Sequence, residues 1–229
     1  MDDRFWNRLI FKNISKDSRE AILKINSREC VYAANELIIE EGEEIKDICV
    51  ILEGVLKSTE YTSDGKELNS SYFYVGKKIN SSYPFAGDAF PFYLIYGGIK
   101  RYFFNTYSVK KSRVIWLPVK ELLPIIERDS IFLKNVLQFV AEYACYSKII
   151  LRGVQYRKIE DRLAYWMLNL NDPDKDIPIP YSQEVLADIL HVSRSSLNQE
   201  LKRLKNEKII SYNGKSIKIL NKNYFKERL

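Results

Sequence analysis

The sequence predicts an α+β chain: an N-terminal double-stranded, jelly-roll-like β-roll, one long helix, and a C-terminal winged helix-turn-helix. Three observations predict it. Residues 31–118 are short runs of β-branched and aromatic residues broken at Gly42, Gly54, Gly65, Gly76, Gly87, Gly97 and Gly98, a spacing of strands and turns that suits a sandwich or roll. Residues 131–156 keep apolar side chains at helical spacing without a turn signal. Residues 181–210 read as two helices joined by a tight turn, and a hairpin with an Asn-Gly turn follows.

Length and charge bound the rest. A chain of 229 residues has room for two domains that each bury a core. The net charge is +6, but from residue 190 onward ten Lys or Arg face only three acids, so the remainder is nearly neutral. Positive charge gathered at one end, within helix and hairpin, is the footprint of contact with a phosphate backbone. Cys30, Cys49 and Cys145 are odd in number and far apart, so neither a disulfide framework nor a metal site is expected, and a reducing cytoplasm fits. The acidic start, Met1-Asp2-Asp3, argues against a signal peptide. The most apolar region, 131–154, is interrupted by Lys134, Glu142 and Lys148, so no membrane span is expected.

Taken in order, residues 5–11 and 16–25 suit short amphipathic helices. The roll follows; Asp64-Gly65 is a hairpin signal, and the last strand should lie at 114–118. A short helix at 119–126 leads into the long one. There Leu133, Val140, Ser147 and Val154 repeat every seven residues, with Val136, Tyr143 and Ile150 three after each of the first three. That a/d pattern predicts a seam between two copies of the helix. A further helix at 159–170 and a Pro/Asp loop at 172–180 precede the paired helices. Ser182 is placed to cap the first of these, whose apolar face is Val185, Leu186, Ile189 and Leu190. His191-Val192 makes the turn, with His191 at a position suited to positive φ. Ser193 caps the second helix, whose buried stripe is Leu197, Leu201 and Leu204. Its other face carries Arg194, Ser195, Asn198, Gln199 and Lys202, the side-chain types that meet base edges in a major groove. Residues 209–219 form the wing around Asn213-Gly214.

The run Q-E-x-L-A-x-x-L-x-V-S-R-x-S-L from Gln183 to Leu197 resembles the helix-turn-helix of the Crp/Fnr superfamily of bacterial transcription regulators. Arg162-Leu163-Ala164 is similar to the opening of that family's DNA-binding domain. Ile51-Leu52-Glu53-Gly54-Val55-Leu56-Lys57 and Glu40-Glu41-Gly42-Glu43 are similar to hairpin and turn motifs of its cyclic-nucleotide-binding β-rolls. The resemblance implies an effector roll over 1–118, a dimerisation region over 119–156 and a DNA-binding domain over 157–229. It implies a homodimer on a palindromic operator in double-stranded DNA, with RNA polymerase as a partner. DNA contacts would come from Ser182, Gln183, Ser193, Arg194, Ser195, Ser196, Asn198, Gln199, Lys202 and Lys215. The family's Arg is kept at Arg194, but Ser195 stands for its Glu and Gln199 for its second Arg. The half-site should therefore depart from a GTGA-like core towards A·T pairs and keep one guanine.

The effector motif departs further. Gly76-Lys77-Lys78-Ile79 matches the family's turn, but Asn80-Ser81 stands for the Gly-Glu that takes the ribose. The phosphate-binding Arg-Ser slot falls on Tyr102-Phe103, one position from Arg101. Without a guanidinium fork a cyclic phosphate loses its charge-assisted partner, so neither cyclic AMP nor cyclic GMP is expected. An iron–sulfur cluster needs four Cys, and the lone His191 sits in the turn rather than in a haem site. No cofactor is expected. The region an unknown small-molecule effector would occupy is Asn80, Ser81, Ser82, Tyr83, Arg101, Tyr102, Phe103, Tyr143 and Ser147. Tyr83, Phe85, Phe90, Phe92, Tyr93, Tyr96, Tyr102 and Phe103 either fill that pocket or line it for an apolar ligand. Beyond Asp88 the roll offers no catalytic acid, base or nucleophile, so an enzyme is not expected. The competing reading is an architectural DNA-binding protein without a ligand.

Overall fold

A computed structural model describes residues 1, 3–65, 67–75, 87–227 and 229. They form two compact units, the first ending at Tyr143 and the second beginning at Ala144.

In the first unit, α1 (Asp3–Trp6) and a 3-10 turn (Leu9–Phe11) replace the single helix expected over 5–11. The chain is extended at Arg8, whose buried guanidinium donates to the Leu52 carbonyl (3.2 Å) and pairs with Asp88 (3.4 Å). Burial pushes the Asp88 carboxyl up to about 6 despite that cation. Next come α2 (Lys16–Lys24), β1 (Arg28–Tyr32), β2 (Leu37–Ile39), β3 (Asp47–Glu53), β4 (Val55–Tyr61) and β5 (Glu67–Tyr74). After them lie β6 (Ala89–Phe90), α3 (Phe92–Tyr96), β7 (Asn105–Ser108) and β8 (Ser112–Pro118).

The strands make two antiparallel sheets, ordered β1-β8-β3-β6 and β2-β7-β4-β5. Ile39, Cys49, Ile51, Leu56, Phe73, Phe90 and Trp116 belong to one buried cluster drawn from both sheets, the inner layer of a roll. Gly54 joins β3 to β4 at φ +103°, and a Cβ there would fall 2.5 Å from Ser112 Cα. Only glycine fits that turn.

Then follow α4 (Val119–Arg128) and the long α5 (Ser130–Gly153). Val136 corrects the expected seam, since it is fully buried with Phe132 and Phe139 in its own unit. Tyr143 stacks on Tyr93 with ring centroids 4.9 Å apart, and Ile150 is half-buried in the second unit. The outward row is Leu137 (60 % exposed), Ala144 and Leu151 (63 % exposed), one residue on from Val136, Tyr143 and Ile150. Of the other expected positions, Leu133, Val140 and Val154 are half-buried and Ser147 is exposed.

The second unit contains α6 (Ile159–Asn169), β9 (Ile177–Pro178), α7 (Gln183–Ile189), α8 (Arg194–Asn206), β10 (Ile210–Tyr212), β11 (Ser216–Ile219) and α9 (Lys222–Lys226). The wing is a three-stranded sheet, β10-β11-β9, because Ile177-Pro178 in the Pro/Asp loop pairs with Ile217-Ser216. No helix among the described residues is long and apolar enough to cross a membrane.

One carboxylate ties two helix ends of the first unit together. Asp129 accepts from the Ser15 amide (2.8 Å), the Ser18 hydroxyl (2.7 Å) and the Ile131 and Phe132 amides (3.0 Å each), so it caps α5 and holds the start of α2. Burial alone would raise its carboxyl, but the Ser15, Ser18 and Phe132 donors outweigh burial and hold it well below the ordinary range. A depressed pKa stabilises the fold above the unfolded value and ceases to do so as pH falls. Asp129→Ala should lower stability by about 2 kcal/mol at neutral pH. In urea unfolding, Asp129→Asn should lose less stability than the parent between about pH 5 and 3.

Candidate nucleic-acid interface

The buried stripe of α8 orients the site. Leu197, Leu201 and Leu204 are each 0 % exposed. Side chains about 100° per residue around the helix from that stripe then face solvent. Arg194, Ser195, Gln199 and Lys202 are exposed, and Asn198 is half-buried. The Arg194, Gln199 and Lys202 side chains have no hydrogen-bond or ion-pair partner among the described residues.

Both expected caps form. The Ser182 hydroxyl accepts from the Val185 amide at 3.2 Å and the Ser193 hydroxyl from the Ser196 amide at 3.0 Å. Ser193 Oγ also lies 3.0 Å from Ser195 Oγ and donates to Ser196 Oγ at 2.8 Å. The three hydroxyls thus cluster at the N-terminus of α8, where the helix dipole favours an anion such as phosphate.

Between the helices, His191 adopts φ +51°, as its place in the turn suggests. Desolvation and the neighbouring Arg162 guanidinium lower its pKa. Arg162 was singled out in sequence only as part of a motif; its role is to brace this turn. Its Nη1 donates to the Leu190 (3.0 Å) and His191 (2.9 Å) carbonyls, and its Nε to the Tyr156 carbonyl (2.7 Å). Arg203 has no counterpart in the sequence reading. It pairs with Glu160 of α6 (3.1 Å) and with Glu200 and Glu207 of α8 (2.6 and 2.8 Å), and lies 3.5 Å from the Tyr224 hydroxyl of α9. The Lys205 ammonium donates to the Tyr212 carbonyl of the wing at 3.0 Å. At the wing tip, the Asn213 side chain accepts from the Lys215 and Ser216 amides, Gly214 sits at φ +89°, and Lys215 is exposed. Gln183 is half-buried in the first turn of α7.

Asn80, Ser81, Ser82 and Tyr83, with the Gly76–Ile79 turn and Phe85, lie outside the described residues. Arg101 is on the surface and donates to the Gly42 carbonyl at 2.7 Å, while Tyr102 points into the roll core and Phe103 is 45 % exposed. Neighbours on extended chain face opposite ways, so this stretch cannot present all three side chains to one ligand. Among the other aromatics, Phe90 stacks on Phe73 with centroids 4.6 Å apart, Phe92 is buried, and Tyr96 is exposed. Ser147 is an exposed residue of the second unit.

The winged helix-turn-helix presents an exposed basic face of the kind that meets a phosphate backbone. A family model described as the Crp-like helix-turn-helix domain matches residues 161–228. FixK2 from Bradyrhizobium japonicum superimposes with a TM-score of 0.62 at 16 % identity, over 88 % of this chain and 96 % of its own. A CooA mutant from Carboxydothermus hydrogenoformans gives 0.66 at 15 % identity, over 100 % and 96 %. CprK complexed with OCPA gives 0.62 at 18 % identity, over 94 % of each chain. No curated protein matches the sequence. Residues 161–228 thus match a Crp-like helix-turn-helix domain, and the chain shares the fold of these solved structures.

The Arg162 brace is testable. Arg162→Ala leaves two carbonyls of the turn without a donor and should lower the stability of the full chain in urea by about 2 kcal/mol. Arg162→Lys should recover only part of it, because a single ammonium cannot serve both the turn carbonyls held by Nη1 and the Tyr156 carbonyl held by Nε.

Proposed function

We propose that the chain is a sequence-specific transcription regulator. It binds a palindromic operator as a homodimer in the cytoplasm, with RNA polymerase as its partner, and its effector is not a cyclic nucleotide. The observation that carries the DNA-binding reading is the face of α8. Arg194, Gln199 and Lys202 are exposed and unpartnered beside a hydroxyl cluster, opposite a fully buried leucine stripe.

Arg194 supplies a bidentate donor for guanine, and Gln199 an amide whose donor and acceptor match adenine N6 and N7. Selection from random duplexes should return a half-site that is richer in A·T than GTGA and keeps one guanine. Arg194→Ala should cost about 1–3 kcal/mol and relax preference at that guanine alone. Lys215→Ala, on the wing, should weaken all sequences alike and flatten the salt dependence. Selection of an unaltered GTGA core by the parent protein would overturn this assignment.

The homodimer rests on the outward apolar row of α5. Leu137, Ala144 and Leu151 repeat every seven residues, and Leu133, Val140, Ser147 and Val154 complete an a/d seam beside them. Leu137→Glu with Leu151→Glu should give monomers in sedimentation at micromolar concentration, with operator affinity reduced by at least about tenfold. A dimer mass unchanged by the pair would refute the seam.

The effector reading is supported by Arg101, whose guanidinium is engaged by the Gly42 carbonyl, and by Tyr102, a core residue at the position where the resemblance would put the phosphate-binding Arg. The Tyr93–Tyr143 stack favours a second reading, a ligand-independent architectural DNA binder, since both rings pack against the roll core. A ligand retained in native mass spectrometry of the purified protein separates the two.

A further inference from the structure

The roll holds a cleft of about 340 Å³ that DNA binding does not use. Three aromatic residues line it, Tyr32, Tyr102 and Trp116, and so do three carboxylates, Glu43, Glu44 and Asp47. Its volume is that of a small-molecule site.

Tyr102 supplies the cleft with a polar group. The residue is only 5 % exposed, and its hydroxyl has no hydrogen-bond partner among the described residues. That hydroxyl is not one of the sealed, unpartnered polar atoms of the core, so it is left to the cleft its ring lines. Tyr32 and Trp116, by contrast, satisfy each other, with Trp116 Nε1 donating to Tyr32 Oη at 3.0 Å. They contribute aromatic wall rather than an open polar group.

The charge at the mouth decides the class of ligand. Two cations also line the cleft, but Arg28 and Lys46 have side chains 62 % and 73 % exposed. Both are already paired at the rim, Arg28 with Asp47 at 2.7 Å and Lys46 with Glu44 at 3.6 Å. The Asp47 side chain is only 18 % exposed, so its charge acts inward. Burial raises the Tyr102 phenol, and Cys49, Asp47 and Glu43 raise it further. With Arg28 and Lys46 paired to Asp47 and Glu44, the lining carries one net negative charge, and a cation meets it beside the aromatic rings. Rings and carboxylates in one cavity are the surroundings that hold organic ammonium groups.

We propose that this cleft binds a small organic cation, a primary amine or a quaternary ammonium, with the Tyr102 hydroxyl and the Asp47 carboxylate as its polar partners. The inference rests on the roll alone and is independent of how α8 reads DNA.

Isothermal titration calorimetry of the full chain tests it. The probes are choline, benzyltrimethylammonium and tyramine, with 3,3-dimethylbutan-1-ol as the neutral isostere of choline. At least one cation should saturate a single site with a Kd below about 1 mM. If choline is that cation, its neutral isostere should bind about tenfold more weakly or not at all. Asp47→Asn keeps the shape and should weaken the cation by about tenfold. Tyr102→Phe removes one oxygen from a buried ring that keeps its packing, and should weaken it by about threefold. Lys215→Ala, on the wing, should leave binding unchanged. The proposal is overturned if none of the three cations saturates, or if choline and its isostere bind alike. It is equally overturned if Asp47→Asn and Tyr102→Phe, each with a parental thermal melt, bind the cation as the parent does.

Discussion

Burial of Leu197, Leu201 and Leu204 decides which way α8 faces. Each is fully buried, and burying a leucine contributes about 2 kcal/mol, against less than about 1 kcal/mol for an exposed ion pair. The leucines therefore fix the rotation of the helix, and the charged groups adapt to it. Once they are inside, the side chains at Arg194, Gln199 and Lys202 have only solvent to face. The turn before α8 must then bring Ser193 to the helix start, which requires His191 at φ +51°. A left-handed non-glycine residue costs about 1–2 kcal/mol, and Arg162 offsets it by holding the Leu190 and His191 carbonyls.

A different periodicity governs the roll. Along extended chain, faces alternate, so Tyr102 enters the core while Arg101 and Phe103 leave it. A cation and a phenol that are adjacent in sequence thus end in opposite environments. The Arg101 guanidinium meets the Gly42 carbonyl at the surface, and the Tyr102 hydroxyl reaches the edge of a cleft. The two residues of the expected phosphate slot, 102 and 103, thus lie in different surroundings. One of them is core and the other is surface.

What the sequence disclosed is what short spans determine. Ser182, Ser193, the Asn213-Gly214 turn, the positive φ at His191 and the leucine stripe each depend on fewer than about two helical turns of chain. What it hid depends on distant partners. β9 is two residues, one of them proline, and becomes a strand only because Ile217 and Ser216 lie beside it. The short α9 had one local signal, the Asn221 side chain that caps it by accepting from the Tyr224 amide. Arg162 and Arg203 look like any surface cations until the backbone carbonyls and the Glu160 carboxylate arrive from elsewhere.

The long helix shows why a correct pattern still left its face unsettled. Two apolar rows run down α5 one residue apart, Val136-Tyr143-Ile150 and Leu137-Ala144-Leu151, and both pair with the row through Leu133, Val140, Ser147 and Val154. A seven-residue repeat fits each equally, since adjacent rows differ by a rotation of only about 100°. Packing chooses between them. Val136 joins Phe132 and Phe139 in burial, and Tyr143 meets the ring of Tyr93. The branched and aromatic row has the larger volume to place in the core, while the outer row has alanine at its centre, where a second helix can approach closely. A helix apolar on two sides needs two partners. The roll is one of them, and Leu137 and Leu151 stay exposed on the other side, the face on which the proposed homodimer rests.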